Sequence, residues 1–139
     1  MKLSALYQIF LDCQSVTTDS RNCPDGSLFI ALKGESFNGN AFAKLALDSG
    51  CAFAIIDEIQ YAIEGDQRYI LVDDCLQTMQ QLANYHRRQL GTRVIGITGT
   101  NGKTTTKELI SSVLCQNHNV LYTLGNLNNH IGVPTTLLR

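Results

Sequence analysis

The sequence has almost no net charge and no long apolar run, and these absences exclude two broad classes of protein. Lysine and arginine total 11 and aspartate and glutamate total 12, so the net charge is −1. A protein that holds nucleic acid by neutralising its phosphates is therefore not expected. No apolar run approaches the roughly 18 to 20 residues of a membrane-spanning helix, so no membrane association is expected. The first eight residues lack the apolar core of a signal peptide.

Cysteine is present but lacks the spacing of a metal cluster or a disulfide framework. The count is odd and no two cysteines stand as C-x-x-C. This pattern favours free thiols in a reducing cytoplasm. The five residues are Cys13, Cys23, Cys51, Cys75 and Cys115.

The residues that are present predict a small α/β domain over residues 1–73. Hydrophobic content of 44% and charged content of 17% are typical of a globular chain. Apolar residues at helical spacing open the chain, and Asn40 is predicted to cap a second helix. The run 51–56 is almost continuously apolar, which indicates a parallel sheet covered on both faces. Further strands are predicted at 15–17, 27–33 and 69–72.

Residues 74–91 predict a linking helix, and residues 92–139 predict the beginning of a second, parallel-sheet domain. Asp73 or Asp74 can cap the linking helix, and Gly91 can end it. Strands are predicted at 93–98 and 120–122, with a helix from Thr104 and helical turns over 135–139. The apolar residues expected to face inward from the helix at Thr104 are Leu109, Ile110, Val113 and Leu114.

Two strands and one helix bury too little surface to be stable alone. We therefore expect the chain to be the N-terminal piece of a longer protein.

The most informative motif lies between the strand at 93–98 and the helix at Thr104. A strand, a glycine-rich turn, Gly-Lys-Thr and a helix together predict a phosphate-binding loop that binds ATP and Mg²⁺. Its glycines let backbone N–H groups approach phosphate oxygens, Lys103 supplies a cation and Thr104 supplies a hydroxyl for Mg²⁺. The usual first glycine of such a loop is replaced by Ile97. The predicted ATP-binding residues are Gly99, Thr100, Asn101, Gly102, Lys103, Thr104 and Thr105.

Three segments together resemble the Mur ligase family. Residues 98–106 match its T-G-[TS]-x-G-K-[ST] form of the phosphate loop, which explains the missing first glycine. Residues 19–21 followed by 26–34 resemble its uridine-nucleotide-binding domain. Residues 125–134 are similar to the G-N-x-N-N-x-x-G-x-P loop of one branch of the family.

The resemblance implies an ATP-dependent amide ligase of peptidoglycan synthesis. That branch phosphorylates the carboxylate of UDP-MurNAc-tripeptide, and the amine of D-Ala-D-Ala then attacks the acyl phosphate. Lys103 and Thr104 would be the catalytic residues and Thr104 the metal ligand. We expect a monomer, and no ligase activity from residues 1–139 alone. The residues implied at the UDP-substrate are Asp19, Ser20, Arg21, Lys33, Asn126 and Asn129.

Structural roles compete with several of these assignments. Asp19 and Arg21 can pair to fix a turn, Lys33 can be solvated, and Asn129 can bond to its own backbone. His86 lies on an apolar stripe and is interpreted as a packed histidine rather than a catalyst.

Other functions also stay open at this point. They are another Mur ligase or a folylpolyglutamate synthase-like ligase, a non-catalytic UDP-sugar-binding module, and a GTPase-like switch.

Overall fold

The structure is a computed structural model that describes residues 2–139. Met1, which the first predicted domain includes, lies outside the described residues. Four parallel strands form one sheet in the order β1-β2-β3-β4, so the predicted parallel α/β fold is confirmed. The strands are β1 (Val16–Thr17), β2 (Leu28–Ile30), β3 (Phe53–Ile56) and β4 (Tyr69–Leu71).

Within residues 2–139, five α-helices accompany the sheet. None of the described helices is long and apolar enough to cross a bilayer. Two short 3₁₀ turns, Gly39–Phe42 and Ile59–Tyr61, lie in the connections after β2 and β3. The helices are α1 (Leu3–Asp12), α2 (Ala43–Asp48), α3 (Cys75–Leu90), α4 (Lys103–Leu114) and α5 (Gly132–Leu137).

The core lies on the sheet and beneath α1, α2 and α3. β2 is buried along its whole length, and β3, which contains the apolar run predicted for a strand covered on both faces, is buried from Ala54 to Ile56. Each fully buried side chain of this size contributes roughly 1.5 to 3 kcal/mol by leaving water. The largest fully buried apolar residues are Phe29, Leu28, Ile30, Ile55, Ile56, Met79 and Leu82.

Helix α3 belongs to this core as well as to the region that follows. Asp74 caps the helix, because its Oδ1 accepts a hydrogen bond from the Gln77 N–H at 2.7 Å. Gly91 ends it in the left-handed conformation, with φ of 61°. Met79 and Leu82 pack into the sheet core, and α5 packs against the same helix. The division at residues 73 and 91 stays a prediction.

The predicted cap at Asn40 is wrong. Asn38 caps the 3₁₀ turn, since its Oδ1 accepts from the Asn40 N–H at 3.0 Å. Asn40 is itself buried, and its amide bonds to Asp57 at the end of β3. The asparagine is therefore used to satisfy a buried carboxylate rather than to start a helix.

The strands predicted at 93–98 and 120–122 are not formed. A strand needs a hydrogen-bonded neighbour, and the sheet within residues 2–139 contains only β1 to β4. The helix between them forms as predicted, one residue earlier, as α4. Its expected inward face is only partly formed: Leu109 and Val113 are exposed, Ile110 and Leu114 are half-buried, and Ser111 is its buried residue.

Candidate phosphate and substrate site

The phosphate loop is shaped by two glycines at the start of α4. Gly99 has φ of 148° and Gly102 has φ of 77°, a region that residues with a side chain rarely adopt. A Cβ added at Gly102 would meet nothing within 4 Å. Backbone conformation, rather than lack of space, therefore calls for glycine at this position.

The beginning of α4 presents backbone donors to the loop. Gly102 is the residue before the helix and has no side chain to accept from the first N–H groups. These N–H groups and the positive end of the helix dipole favour an anion at this position. All seven predicted ATP-binding residues lie in this loop and in the first helical turn.

Lys103 folds back over the same loop. Its Nζ donates to the Gly99 carbonyl oxygen at 2.6 Å, so the cation lies beside the backbone donors. Thr104 is exposed, and its hydroxyl has no hydrogen-bond partner within residues 2–139. A free hydroxyl oxygen at this point fits a hard cation such as Mg²⁺. The residue types of the loop therefore fit a phosphate chain and a metal ion.

A second group of polar residues follows the carboxyl ends of β1, β2 and β3. Ligands of parallel α/β sheets usually bind at this edge. Asp19 and Arg21 follow β1, Lys33 follows β2, and Asp57 directly follows β3. Within the part of the chain that the structure describes, no hydrogen bond or ion pair joins these residues to the phosphate loop.

Asp19 and Arg21 pair with each other after β1. Arg21 Nε donates to Asp19 Oδ1 and its second guanidinium nitrogen donates to Oδ2, both at 2.9 Å. The guanidinium and the Arg21 N–H lower the pKa of Asp19 to about 2. The arginine side chain is nevertheless 86% exposed. The pair fixes the turn while leaving the outer face of Arg21 open to a ligand.

Lys33 is held by two carboxylates at the end of the sheet. Its Nζ lies 3.1 Å from Asp57 Oδ1 and 3.4 Å from Glu58 Oε1, and these contacts raise the pKa of Lys33. The lysine side chain is 46% exposed, whereas that of Asp57 is only 3% exposed. Lys33 is therefore not simply solvated.

Asp57 organises this edge, and the sequence interpretation missed it. Its carboxylate accepts from the Asn40 side chain at 2.8 Å and from the Cys75 N–H at 3.2 Å. Burial acts to raise the pKa of Asp57, but the hydrogen bonds from Asn40, Lys33 and the Cys75 N–H outweigh it and lower the pKa. A lone acid after an apolar strand is a weak sequence signal, because its partners come from two distant segments.

The asparagine-rich loop, residues 125–131, is held by local bonds at its C-terminal end. Asn129 Oδ1 accepts from the Ile131 and Gly132 N–H groups at 3.1 and 2.7 Å, which starts α5 three residues before the predicted position. The side-chain oxygen of Asn129 is thus used by the nearby backbone, which is the structural role given above as the alternative to substrate binding. A Cβ on Gly132 would lie 2.7 Å from the Leu127 backbone, so the loop closes tightly there.

Asn126 and His130 have different surroundings in this loop. Asn126 is exposed, and its side chain makes no hydrogen bond to the described residues. Such a side chain is available to a ligand. His130 is held by its backbone, because its carbonyl oxygen accepts from Gln80 Nε2 of α3 at 3.0 Å.

Lys107 is a second residue that sequence interpretation missed. It lies one turn after Lys103 on α4, and its Nζ donates to the Thr123 and Gly125 carbonyl oxygens at 2.6 and 3.2 Å. The only sequence signal is a lysine four residues after the phosphate-loop lysine, on the same helix face. The structure thereby brings the phosphate-loop helix and the start of the asparagine-rich loop together.

The packing of His86 agrees with its interpretation as a packed histidine rather than a catalyst. His86 Nδ1 lies 3.1 Å from the Tyr7 hydroxyl, and its ring packs edge-on against Phe10. Burial lowers the pKa of His86. It joins α1 to α3, and within residues 2–139 no hydrogen bond connects it to the phosphate loop.

Fold and loop together define an α/β protein with a phosphate-binding loop and a polar carboxyl edge. Comparison with known protein families identifies the family within this class. Residues 12–87 match the Mur ligase family, catalytic domain, and residues 97–139 match the Mur ligase middle domain. The chain belongs to the Mur ligase family.

Curated relatives of high similarity share one description. A UDP-N-acetylmuramoyl-tripeptide–D-alanyl-D-alanine ligase of Bacillus subtilis (strain 168) is 48% identical over 123 residues, covering 88% of this chain and 27% of the relative. The ligase of that description from Escherichia coli (strain K12) is 42% identical over 125 residues, covering 90% of this chain and 27% of the relative. The chain therefore spans about a quarter of the length of these relatives.

Solved structures agree with this relationship. A crystal structure of MurF from Acinetobacter baumannii matches with a TM-score of 0.83 and 35% identity, over 99% of this chain and 32% of that one. MurF ligase from Thermotoga maritima, in complex with ADP, matches with a TM-score of 0.80 and 31% identity, over 93% of this chain and 29% of that one.

Proposed function

We propose that these residues form the nucleotide-binding part of an ATP-dependent ligase. The ligase adds D-Ala-D-Ala to UDP-MurNAc-tripeptide, and the activity is that of a longer chain. The observation that carries the proposal is the loop at Gly99–Lys103, with Lys103 folded over backbone donors at the start of α4. The similarity to relatives described as this ligase supports the choice of substrates.

The proposed chemistry uses the charge arrangement of the loop. A carboxylate that attacks the γ-phosphate of ATP brings two negative groups together, so cationic and N–H groups must offset the repulsion. Lys103 and the N–H groups of residues 99–105 bind and orient the phosphates. Thr104 would hold Mg²⁺, which, when bound, supplies further positive charge to the phosphate oxygens. The Thermotoga maritima relative in complex with ADP supports nucleotide binding here.

The UDP-substrate is proposed to lie along the carboxyl edge of the sheet and the asparagine-rich loop. Arg21 offers its exposed face to a pyrophosphate, and Ser20 lies beside it. Lys33, already paired with Asp57 and Glu58, contributes less charge than a free lysine. Asn126 offers an unpaired amide, whereas Asn129 has its oxygen committed to α5 and could contribute only its amide nitrogen.

Two further properties belong to the proposal. We propose a cytoplasmic location, which the five free thiols of the described chain support. We also propose that the enzyme is a monomer, which sedimentation of the purified protein would test.

The test measures ligation by the full-length protein that contains these residues. UDP-MurNAc-tripeptide, ATP and D-Ala-D-Ala should yield the pentapeptide product and ADP. The K103M variant should reduce turnover by about 10²- to 10³-fold, the effect of removing one group that stabilises developing charge. K44M is the matched control, because Lys44 pairs with Asp48 on the surface of α2.

Three outcomes would contradict the proposal. ATP turnover unchanged in K103M would support a non-catalytic UDP-sugar-binding module. Preference for a single amino acid over D-Ala-D-Ala would assign the protein to another ligase of the superfamily. Displacement of ATP by GTP at equal concentration would favour a GTPase-like switch.

A further inference from the structure

Lys107 makes an unusually complete set of contacts for a lysine in an otherwise exposed region. Its side chain is only 14% exposed, although α4 is largely open to solvent. Its ammonium has three N–H donors, and three acceptors surround it. They are the Thr123 and Gly125 carbonyl oxygens at 2.6 and 3.2 Å and Glu108 Oε1 at 2.7 Å.

The aromatic ring of Tyr122 completes this site. Lys107 Nζ lies 5.7 Å from the centre of that ring, within the range of a cation–π contact. Burying a charge without partners is costly, but here the ammonium donates two hydrogen bonds to carbonyl oxygens and lies beside a carboxylate. The lysine is therefore fixed in one position rather than sampling solvent.

The acceptors lie at a functionally important point in the chain. Gly125 immediately precedes Asn126, and its φ of 52° turns the backbone there. Asn129 and Gln80 hold the C-terminal part of the asparagine-rich loop. Lys107 holds its N-terminal end, and does so from the helix whose first residue is Lys103.

We propose that Lys107 is a positioning residue that fixes the asparagine-rich loop relative to the phosphate loop. It acts through Thr123 and Gly125 and sets where Asn126 meets the muramoyl substrate. The inference rests on the proposed function for the role of Asn126. The bond pattern itself does not depend on that function.

The experiment uses the full-length protein with K107M, K107R and the surface control K44M. Methionine keeps the length of the side chain and removes its donors, whereas arginine keeps the charge and the donors. In K107M we expect KM for UDP-MurNAc-tripeptide to rise at least tenfold, with kcat changed less than threefold. The dissociation constant for ATP should change less than twofold, and K107R should recover most of the lost affinity.

A second measurement separates this inference from the proposed function. Amide hydrogen exchange across residues 121–128 should be at least fivefold faster in K107M than in wild type, and near wild type in K107R and K44M. Unchanged exchange in K107M would overturn the positioning role, whether or not the protein is a ligase. An equal loss of ATP binding and substrate binding would overturn it too, because it would assign Lys107 to the phosphate site or to folding. A wild-type protein that lacks ligase activity but shows the exchange pattern would contradict only the proposed function.

Discussion

The sheet region, residues 2–90, and the phosphate-loop region, residues 92–139, differ in where their apolar side chains lie. In the sheet region Leu28, Ile55 and Ile56 are fully buried between sheet and helices. In the phosphate-loop region Val94, Leu109 and Val113 are exposed over more than half of their surface. Apolar patterns of similar strength thus reach different outcomes, because burial requires a partner surface as well as an apolar run.

The two regions also differ in how far apart in sequence their hydrogen-bonded polar residues lie. In the phosphate-loop region the phosphate loop and the start of α5 are formed by bonds between residues close in sequence, such as Lys103 to Gly99 and Asn129 to Gly132. Lys107 adds contacts to residues 16 and 18 positions away. The sheet region builds its polar edge from distant segments, since Asp57 joins Asn40 and Cys75. Local geometry can therefore form a binding loop where a strand does not form.

The largest effect that tests this comparison is expected from a matched pair of alanine substitutions, one at an apolar residue of each region. I55A should lower the free energy of unfolding by about 2 to 5 kcal/mol, because it leaves a cavity in the sheet core. V113A should change it by less than about 0.5 kcal/mol, since Val113 is 70% exposed. Urea unfolding of the 139-residue chain measures both. Equal losses would show that the two regions are packed alike, and the comparison would fail.

A smaller effect is expected at Asp57. D57N should cost about 1 to 3 kcal/mol at pH 7, because buried donors lose their charged acceptor. The folded-state pKa of Asp57 is lowered. The contribution of ionised Asp57 to the free energy of unfolding is thus complete above the ordinary aspartate pKa of about 3.9. It is lost as pH falls through the lower folded-state pKa.

The stabilities of wild type and D57N in urea titrations should therefore begin to converge as pH falls below about 4, and should meet only below the lowered folded-state pKa of Asp57. E58Q, at the more exposed partner of Lys33, is the control. A difference between wild type and D57N that stays constant down to pH 2 would contradict the role of the charge.

The helix cap at Asp74 should have an effect of about 1 kcal/mol. D74A removes the acceptor for the Gln77 N–H, which costs about 0.5 to 2 kcal/mol in comparable helices. D73A is the neighbouring control and should be nearly neutral. Thermal unfolding followed by circular dichroism compares the two variants. A larger loss of stability in D73A than in D74A would place the cap at Asp73.

The smallest effect concerns His86, which joins α1 to α3. Burial lowers the pKa of His86 in the folded state, so the unfolded chain binds its proton more readily. The associated stability is present above the unfolded pKa of about 6.5 and is lost as pH falls toward the folded value. H86Q should flatten the fall in melting temperature between pH 7 and pH 5, whereas H118Q, at an exposed histidine, should not. Parallel pH profiles for wild type and H86Q would contradict this.

The sequence predicts the sheet region well because its patterns act locally. The strand at 51–56 is a continuous apolar run, and the helix from Asp74 to Gly91 has recognisable start and stop residues. The phosphate loop is predictable for the same reason, since residue types and spacing specify its backbone. Its expected ligands stay predictions.

Other features depend on contacts that no local pattern shows. Asn40 looks like a helix cap in sequence, but its fate depends on Asp57, 17 residues later. Lys107 looks like a surface lysine, but its partners lie 16 and 18 residues away. The strands at 93–98 and 120–122 have the right composition and lack neighbours within the sheet of residues 2–139.

Helix α3 also acts as a spacer between the sheet region and the phosphate-loop region. Its buried face is fixed in the sheet core by Met79 and Leu82, and Gln80 holds the His130 carbonyl at the asparagine-rich loop. A rigid helix advances about 1.5 Å and turns about 100° per residue. One residue inserted after Leu82 would thus rotate everything that follows by more than a quarter turn. The length of this helix, together with the packing of α5 against it, therefore helps to orient the phosphate-loop region relative to the polar edge of the sheet.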